Sequence, residues 1–147
     1  MHNMIRKIII LLLALAPLTI VSAQDAKTIY KQGKALYDQE KYDKAFPLLK
    51  KAAEKGNKKA QYRLGRCYDK GRGVAENNQL AFQWYMKSAQ QGYADAQYQV
   101  SRCYEKGKGV AADVKKAKAW LSKAVRNPKD GDKIRQKIKE KSKKVKG

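Results

Sequence analysis

The segment Ala60-Gln-Tyr-Arg-Leu-Gly-Arg-Cys-Tyr-Asp-Lys-Gly-Arg-Gly-Val74 returns 36 residues later as Ala96-Gln-Tyr-Gln-Val-Ser-Arg-Cys-Tyr-Glu-Lys-Gly-Lys-Gly-Val110. The register holds through Ala81/Ala117, Trp84/Trp120 and Lys87/Lys123. A fixed period of this size specifies a stack of two-helix units, because one such hairpin cannot bury its apolar face without a neighbour. Stacks of this kind present a long surface, which points to binding before it points to catalysis.

The pattern inside each period is helical. Ala60, Leu64, Cys67 and Tyr68 fall on one stripe of a helical wheel, which predicts an amphipathic helix. Gly71 is predicted to end it by supplying a left-handed residue, and Gly73 to allow a second tight bend before Val74 folds back as an apolar plug. Asn77 and its counterpart Asp113 are predicted caps for the second helices. Those helices are predicted to turn Ala81, Trp84, Tyr85 and Ser88 inward, with Gly92 closing the unit. The third unit repeats the scheme with Ala96, Val100, Cys103 and Tyr104, then Ala117, Trp120, Leu121 and Ala124. Upstream, Ala45, Leu49, Ala52, Ala53, Gly56 and Ala60 align with Ala81, Tyr85, Ser88, Ala89, Gly92 and Ala96, so a first unit precedes these two. Its leading helix is predicted from about Ala26 to Gln39, with Gly33 where Gly65 stands. Its loop, Asp38 to Tyr42, is four residues shorter and lacks the Gly-x-Gly-Val plug, and Pro47 predicts a local irregularity in the helix after it.

Leu64-Gly-x-x-Tyr68-x-x-Gly71-x-Gly73-Val74, followed by Ala81-x-x-Trp84-Tyr85-x-Lys87-x-Ala89-x-x-Gly92, resembles the Sel1-like repeat. The first unit, with Gly33, Ala45, Leu49 and Ala52, is similar to the related tetratricopeptide repeat. The resemblance covers about residues 26 to 126 and implies an all-α fold, a right-handed α-solenoid of about three helix-turn-helix repeats. It also implies an adaptor, often outside the bacterial cytoplasm, with no chemistry of its own. The expected organisation is a tetratricopeptide-like unit over 24–57, Sel1-like units over 58–93 and 94–127, and a basic C-terminal helix or tail over 128–147. Ser101 departs from the pattern where Gly is expected, and a wider helix crossing would accommodate it. Disulfide-rich exported members of the family pair cysteines within a repeat, but this chain lacks the second Cys of each pair. That weakens any transfer of their penicillin-binding behaviour.

Ahead of the repeats, Arg6 and Lys7 precede an apolar run from Ile8 to Leu15 and a small-residue stretch, Val21-Ser-Ala23. Residues 1–23 read as a secretory signal peptide cut between Ala23 and Gln24, giving a periplasmic or extracellular product, with a retained N-terminal anchor as the alternative. The chain carries 34 Lys and Arg against 13 Asp and Glu, and removing Arg6 and Lys7 leaves a charge of +19. Such a charge draws acidic proteins, anionic lipid or acidic polysaccharide, and export argues against nucleic acid. The segment from Arg126 to Gly147 has ten cations and three acids. Asp132 is a candidate cap for a helix from Lys133, with Ile134 and Ile138 on one face and the end from Lys141 frayed. The segment reads as a cap over the last repeat or as a basic arm for an anionic surface.

Little supports catalysis. The only His is His2, so from Gln24 onward there is no imidazole to act as a general base or metal ligand. Two Cys do not assemble a structural zinc site, which takes four ligands, and no cofactor is expected. Gly71-Arg-Gly73 and Gly107-Lys-Gly109 lack the Gly-Lys-Ser/Thr continuation of a phosphate loop. Cys67 and Cys103 occupy equivalent core positions on adjacent leading helices, whose axes lie about 8–10 Å apart. Two buried thiols are therefore expected in place of a disulfide. An enzyme acting on cell-wall material or penicillin is a remote alternative.

One constellation suggests a binding face. Tyr30 with Lys34, Tyr62 with Arg66, and Tyr98 with Arg102 each stand four residues apart on the side of a leading helix away from its core stripe. The next turn adds Tyr37, Asp69 and Glu105. Leading helices line the concave side of a solenoid, so the pairs would form columns of Tyr and of positive charge, each Tyr stacking with its own cation. Such a groove suits an acidic peptide or chain-end carboxylate, since Arg grips carboxylates through paired hydrogen bonds. The competing reading packs Tyr62 and Tyr98 between repeats and leaves Arg66 and Arg102 as ordinary surface cations. Oligomeric state has no sequence signature here.

Overall fold

A computed structural model of the chain describes residues 25–146, and the signal-peptide reading of residues 1–23 lies outside them. Among the described residues the protein is wholly helical. Helix α1 covers 25–38, α2 Tyr42–Glu54, α3 Lys58–Lys70, α4 Asn78–Gln90, α5 Ala94–Lys106, α6 Val114–Val125 and α7 Gly131–Lys146. Each of α3 to α6 packs on its sequence neighbours, so the molecule is a linear stack of three hairpins, α1–α2, α3–α4 and α5–α6, closed by α7.

The two full-length loops show why this sequence stops and restarts its helices where it does. Gly71 and Gly107 end α3 and α5 in the left-handed region, at φ 62° and 64°, and their N–H groups close onto the Cys67 and Cys103 carbonyls. The next N–H groups, of Arg72 and Lys108, reach the same carbonyls at 2.9 and 3.0 Å. Asn77 and Asp113 then cap α4 and α6 through side-chain oxygens 2.9 Å from the Leu80 and Lys116 N–H groups. Gly73 and Gly109 have a role beyond a bend. A Cβ on either would strike the backbone carbonyl of Tyr42 or Asn78, the first residue of the preceding unit's second helix. Close approach of one unit's loop to the preceding unit's backbone therefore demands Gly there. In the short first loop Glu40 takes the left-handed conformation, at φ 61°.

The core follows the predicted stripes. Ala60, Leu64, Cys67, Ala96 and Val100 are fully or almost fully buried, as are Ala45, Leu49 and Ala52 of the first unit. Cys67 and Cys103 are buried free thiols, and burial pushes both up to about 11, so they behave as small apolar groups at neutral pH. Trp84 and Trp120 differ from expectation. Neither is fully buried, and each carries a lysine ammonium, of Lys87 or Lys123, 4.2 Å from its ring centre. Their size places them at the margin, where one face packs and the other stays wet. α2 runs unbroken through Pro47, which is exposed near the helix start, so its missing donor leaves a solvated carbonyl.

Polar contacts between units repeat with the same period. Gln61 and Gln97 donate to the Ala53 and Ala89 carbonyls, at 3.2 and 3.3 Å. Gln91 and Asn127 donate to the Gly56 and Gly92 carbonyls, at 3.0 and 2.9 Å. Ser101 is buried and donates to the Ala117 carbonyl at 2.8 Å, so its hydroxyl is paid for by a hydrogen bond across the hairpin. Its counterpart Gly65 has no such room: a Cβ there would lie 2.6 Å from a ring carbon of Tyr85.

The C-terminal segment is a cap, and two sequence expectations about it change. The helix begins at Gly131, because Asn127 accepts from the Lys129 and Asp130 N–H groups and turns the chain early. Asp132 therefore sits inside the first turn and pairs with Arg135. Helical structure also continues through the Lys141–Lys146 stretch. Ile134 is fully buried against Ala94, Tyr98 and Ala124, with Ile138 beside it. No helix among the described residues is long and apolar enough to cross a membrane.

Candidate functional site

The six residues of the predicted groove have separate fates. Tyr30 is half-buried between the first two units. Lys34 turns along its own helix to pair with Asp38. Tyr62 packs on Tyr85 and Tyr93, with ring centres 5.9 and 5.3 Å apart. Tyr98 is only 8% exposed, lies under α7, and has the Lys141 ammonium 5.3 Å from its ring centre. The three tyrosines therefore do not form an open aromatic column. Tyr93 roofs one and α7 another, and neither covering element belongs to the helix whose wheel was drawn. Stacking of each Tyr with its own cation is replaced by stacking across the junction between units.

The cations behave differently. At the first junction the guanidinium carbons of Arg63, Arg66 and Arg72 lie 5.0, 5.9 and 5.4 Å from the ring centre of buried Tyr37. Arg72 also donates to the Tyr37 hydroxyl at 2.5 Å and stands 4.8 Å over Tyr42. Asp38 lies 3.2 Å from Arg63, and Lys34 holds its pKa below the usual range. Arg66 and Arg72 form no ion pair among the described residues.

The second junction is built on the same plan with different chemistry. Asp69 stands where Tyr37 stood, and Lys108 where Arg72 stood, forming an ion pair at 2.5 Å with Lys70 at 3.4 Å. Burial pushes the Asp69 carboxyl up, but these two ammonium groups outweigh it and its pKa falls below the ordinary value. A cavity of about 120 Å³ opens beside them, lined by Asp69, Lys70, Tyr85, Gln99, Arg102, Cys103, Lys106 and Lys108. Arg102 and Lys106 pair with no carboxylate among the described residues. Tyr85 is 2% exposed, and its hydroxyl is buried without a hydrogen-bond partner. A buried orphan hydroxyl costs about 1–3 kcal/mol. Its equivalents in the other units are Leu49 and Leu121, which carry no such cost. That substitution within the repeat was the sequence signal for this position. At the last unit Glu105, the counterpart of Asp69, is exposed and makes no ion pair among the described residues, since no further loop follows.

The array is thus a scaffold whose first two junctions gather cations around one carboxylate each, Asp38 and Asp69. The Sel1 repeat family matches residues 28–57, 58–93 and 94–128, more than half of the chain, and the chain belongs to that family. The first unit, tetratricopeptide-like in the sequence, thus falls within the Sel1 match.

Three solved structures are similar to it. A Sel1 repeat protein from Oxalobacter formigenes is 39% identical over 66% of this chain and 39% of its own, with a TM-score of 0.64. The second is c5321, described as a protective antigen present in uropathogenic Escherichia coli strains displaying an SLR fold. It is 34% identical over 80% of this chain and 26% of its own, with a TM-score of 0.68. Helicobacter pylori cysteine rich protein B is 29% identical over 62% of this chain and 69% of its own, at 0.57. The match thus spans well under half the length of the first two. No curated protein matches the chain.

Proposed function

We propose that this protein is an exported Sel1-repeat scaffold, without catalysis of its own, whose leading-helix face receives an acidic segment of another protein. The observation that carries this reading is the cation excess at the junctions: Arg66, Arg72, Arg102 and Lys106 surround the unit boundaries without carboxylate partners among the described residues. Arginine in this setting recognises carboxylates through directed, paired hydrogen bonds, which a peptide rich in Asp or Glu supplies along its length. The test reverses charge at Arg66→Glu and Arg102→Glu together while leaving α7 untouched. Envelope extracts passed over the double variant are expected to lose the acidic proteins that the wild type captures. An unchanged capture profile contradicts the reading.

A second reading has its own observation. Lys139, Lys143 and Lys144 on α7 are exposed and pair with no carboxylate among the described residues, so this helix offers a basic outer face to anionic lipid or polysaccharide. Attachment of that kind weakens steeply with salt and is lost with these lysines.

A further inference from the structure

We propose that the cavity at the second junction is a socket for a single carboxylate, taken from a Glu or Asp side chain of the acidic segment. The proposal rests on the acidic-segment reading above and names the place where that segment is gripped. The cavity holds about 120 Å³, room for a carboxylate and its methylene and little more. Its walls bring together Lys70, Arg102, Lys106 and Lys108 with one carboxylate, Asp69, and both ion pairs of Asp69 involve Lys70 and Lys108. Arg102 and Lys106 are left to serve an external anion. One turn apart on α5, they are neighbours on the helix surface and line the same cavity.

The Tyr85 hydroxyl is the independent observation. Units one and three place Leu49 and Leu121 at this position, and only the second unit buries a donor with nothing to accept its proton. Buried polar groups are almost always paired, so an orphan beside a cationic cavity marks where an acceptor belongs. As folded, the hydroxyl is screened from solvent. Lys70 lines the same cavity with its side chain 55% exposed.

The experiment measures binding of a fluorescently labelled hexaglutamate peptide with blocked ends to the full chain by anisotropy. Tyr85→Phe keeps the ring and removes the hydroxyl alone. It is expected to weaken binding about tenfold while leaving the melting temperature unchanged or higher, because an orphan donor has gone. Arg102→Gln is expected to weaken binding by at least as much, and Asp69→Asn to strengthen it. Wild-type affinity in both Tyr85→Phe and Arg102→Gln overturns the socket. If the Arg66→Glu/Arg102→Glu variant still loses hexaglutamate while Tyr85→Phe does not, the acidic-segment reading stands and the socket falls. If wild type does not bind hexaglutamate at all, both fall.

Discussion

Gly65 shows how one residue type is dictated by the side chain facing it. A Cβ at this position would lie 2.6 and 2.7 Å from two ring carbons of Tyr85, whose ring is itself fixed by Tyr62. Ala gains about 1 kcal/mol of helix propensity over Gly, but overpacking a rigid core site costs about 1–3 kcal/mol. Gly65→Ala is therefore expected to lower stability by about 1–2 kcal/mol in urea unfolding. Combining it with Tyr85→Leu, the residue of the other two units, should cost less than the two single changes added together. A Gly65→Ala variant at least as stable as wild type would show that the ring yields. Ser101 makes the contrast, since its hydroxyl finds the Ala117 carbonyl at 2.8 Å and the residue equivalent to Tyr85 in its unit is Leu121. The same comparison shows what the sequence withheld. The departure at Ser101 was visible, but the hydrogen bond that satisfies it depends on the partner helix.

At the scale of elements, α7 is held by a small apolar contact and a focused electrostatic one. Ile134 provides the first, and Asp95 the second, with Lys137 at 2.6 Å and Lys133 at 3.5 Å. Burial raises the Asp95 carboxyl, but the two lysines outweigh it and its folded pKa lies below the unfolded value near 3.9. The folded state thus holds this proton less tightly than the unfolded chain does. Its contribution is complete above about pH 4 and is lost as pH falls through the depressed value. The melting temperature of wild type is expected to exceed that of Asp95→Asn at pH 7 by an amount constant down to about pH 5, with the two curves converging in acid. A difference that persists unchanged at pH 2 would contradict the role given to Asp95. Helix α7 also explains why the predicted aromatic columns failed. A wheel drawn on α5 correctly sets Tyr98 away from its own hairpin's core, yet carries no information about a helix that returns over that face 33 residues later in the chain. Loop stops, caps and core stripes were legible because each is settled within one unit by local chemistry. Contacts between units, such as Arg66 on Tyr37 and Lys108 on Asp69, were not.

Across the whole molecule, 13 carboxylates cannot neutralise 34 cations, and Asp38, Asp69 and Asp95 are already engaged in ion pairs at or near the junctions. Among the cations without a carboxylate partner in the described residues, two surfaces bear on binding: Arg66, Arg72, Arg102 and Lys106 at the junctions, and Lys139, Lys143 and Lys144 on α7. On the proposed function, their net charge would draw anionic partners from a distance, and the first surface, which borders the walled cavity, would discriminate among them. Nuclear magnetic resonance of the ¹⁵N-labelled chain, titrated with hexaglutamate at physiological salt, locates the contact directly. The account predicts amide shifts centred on Arg66, Tyr85, Arg102 and Lys106, saturating together at one affinity. Shifts confined to Lys139, Lys143 and Lys144, or none at all, would contradict it.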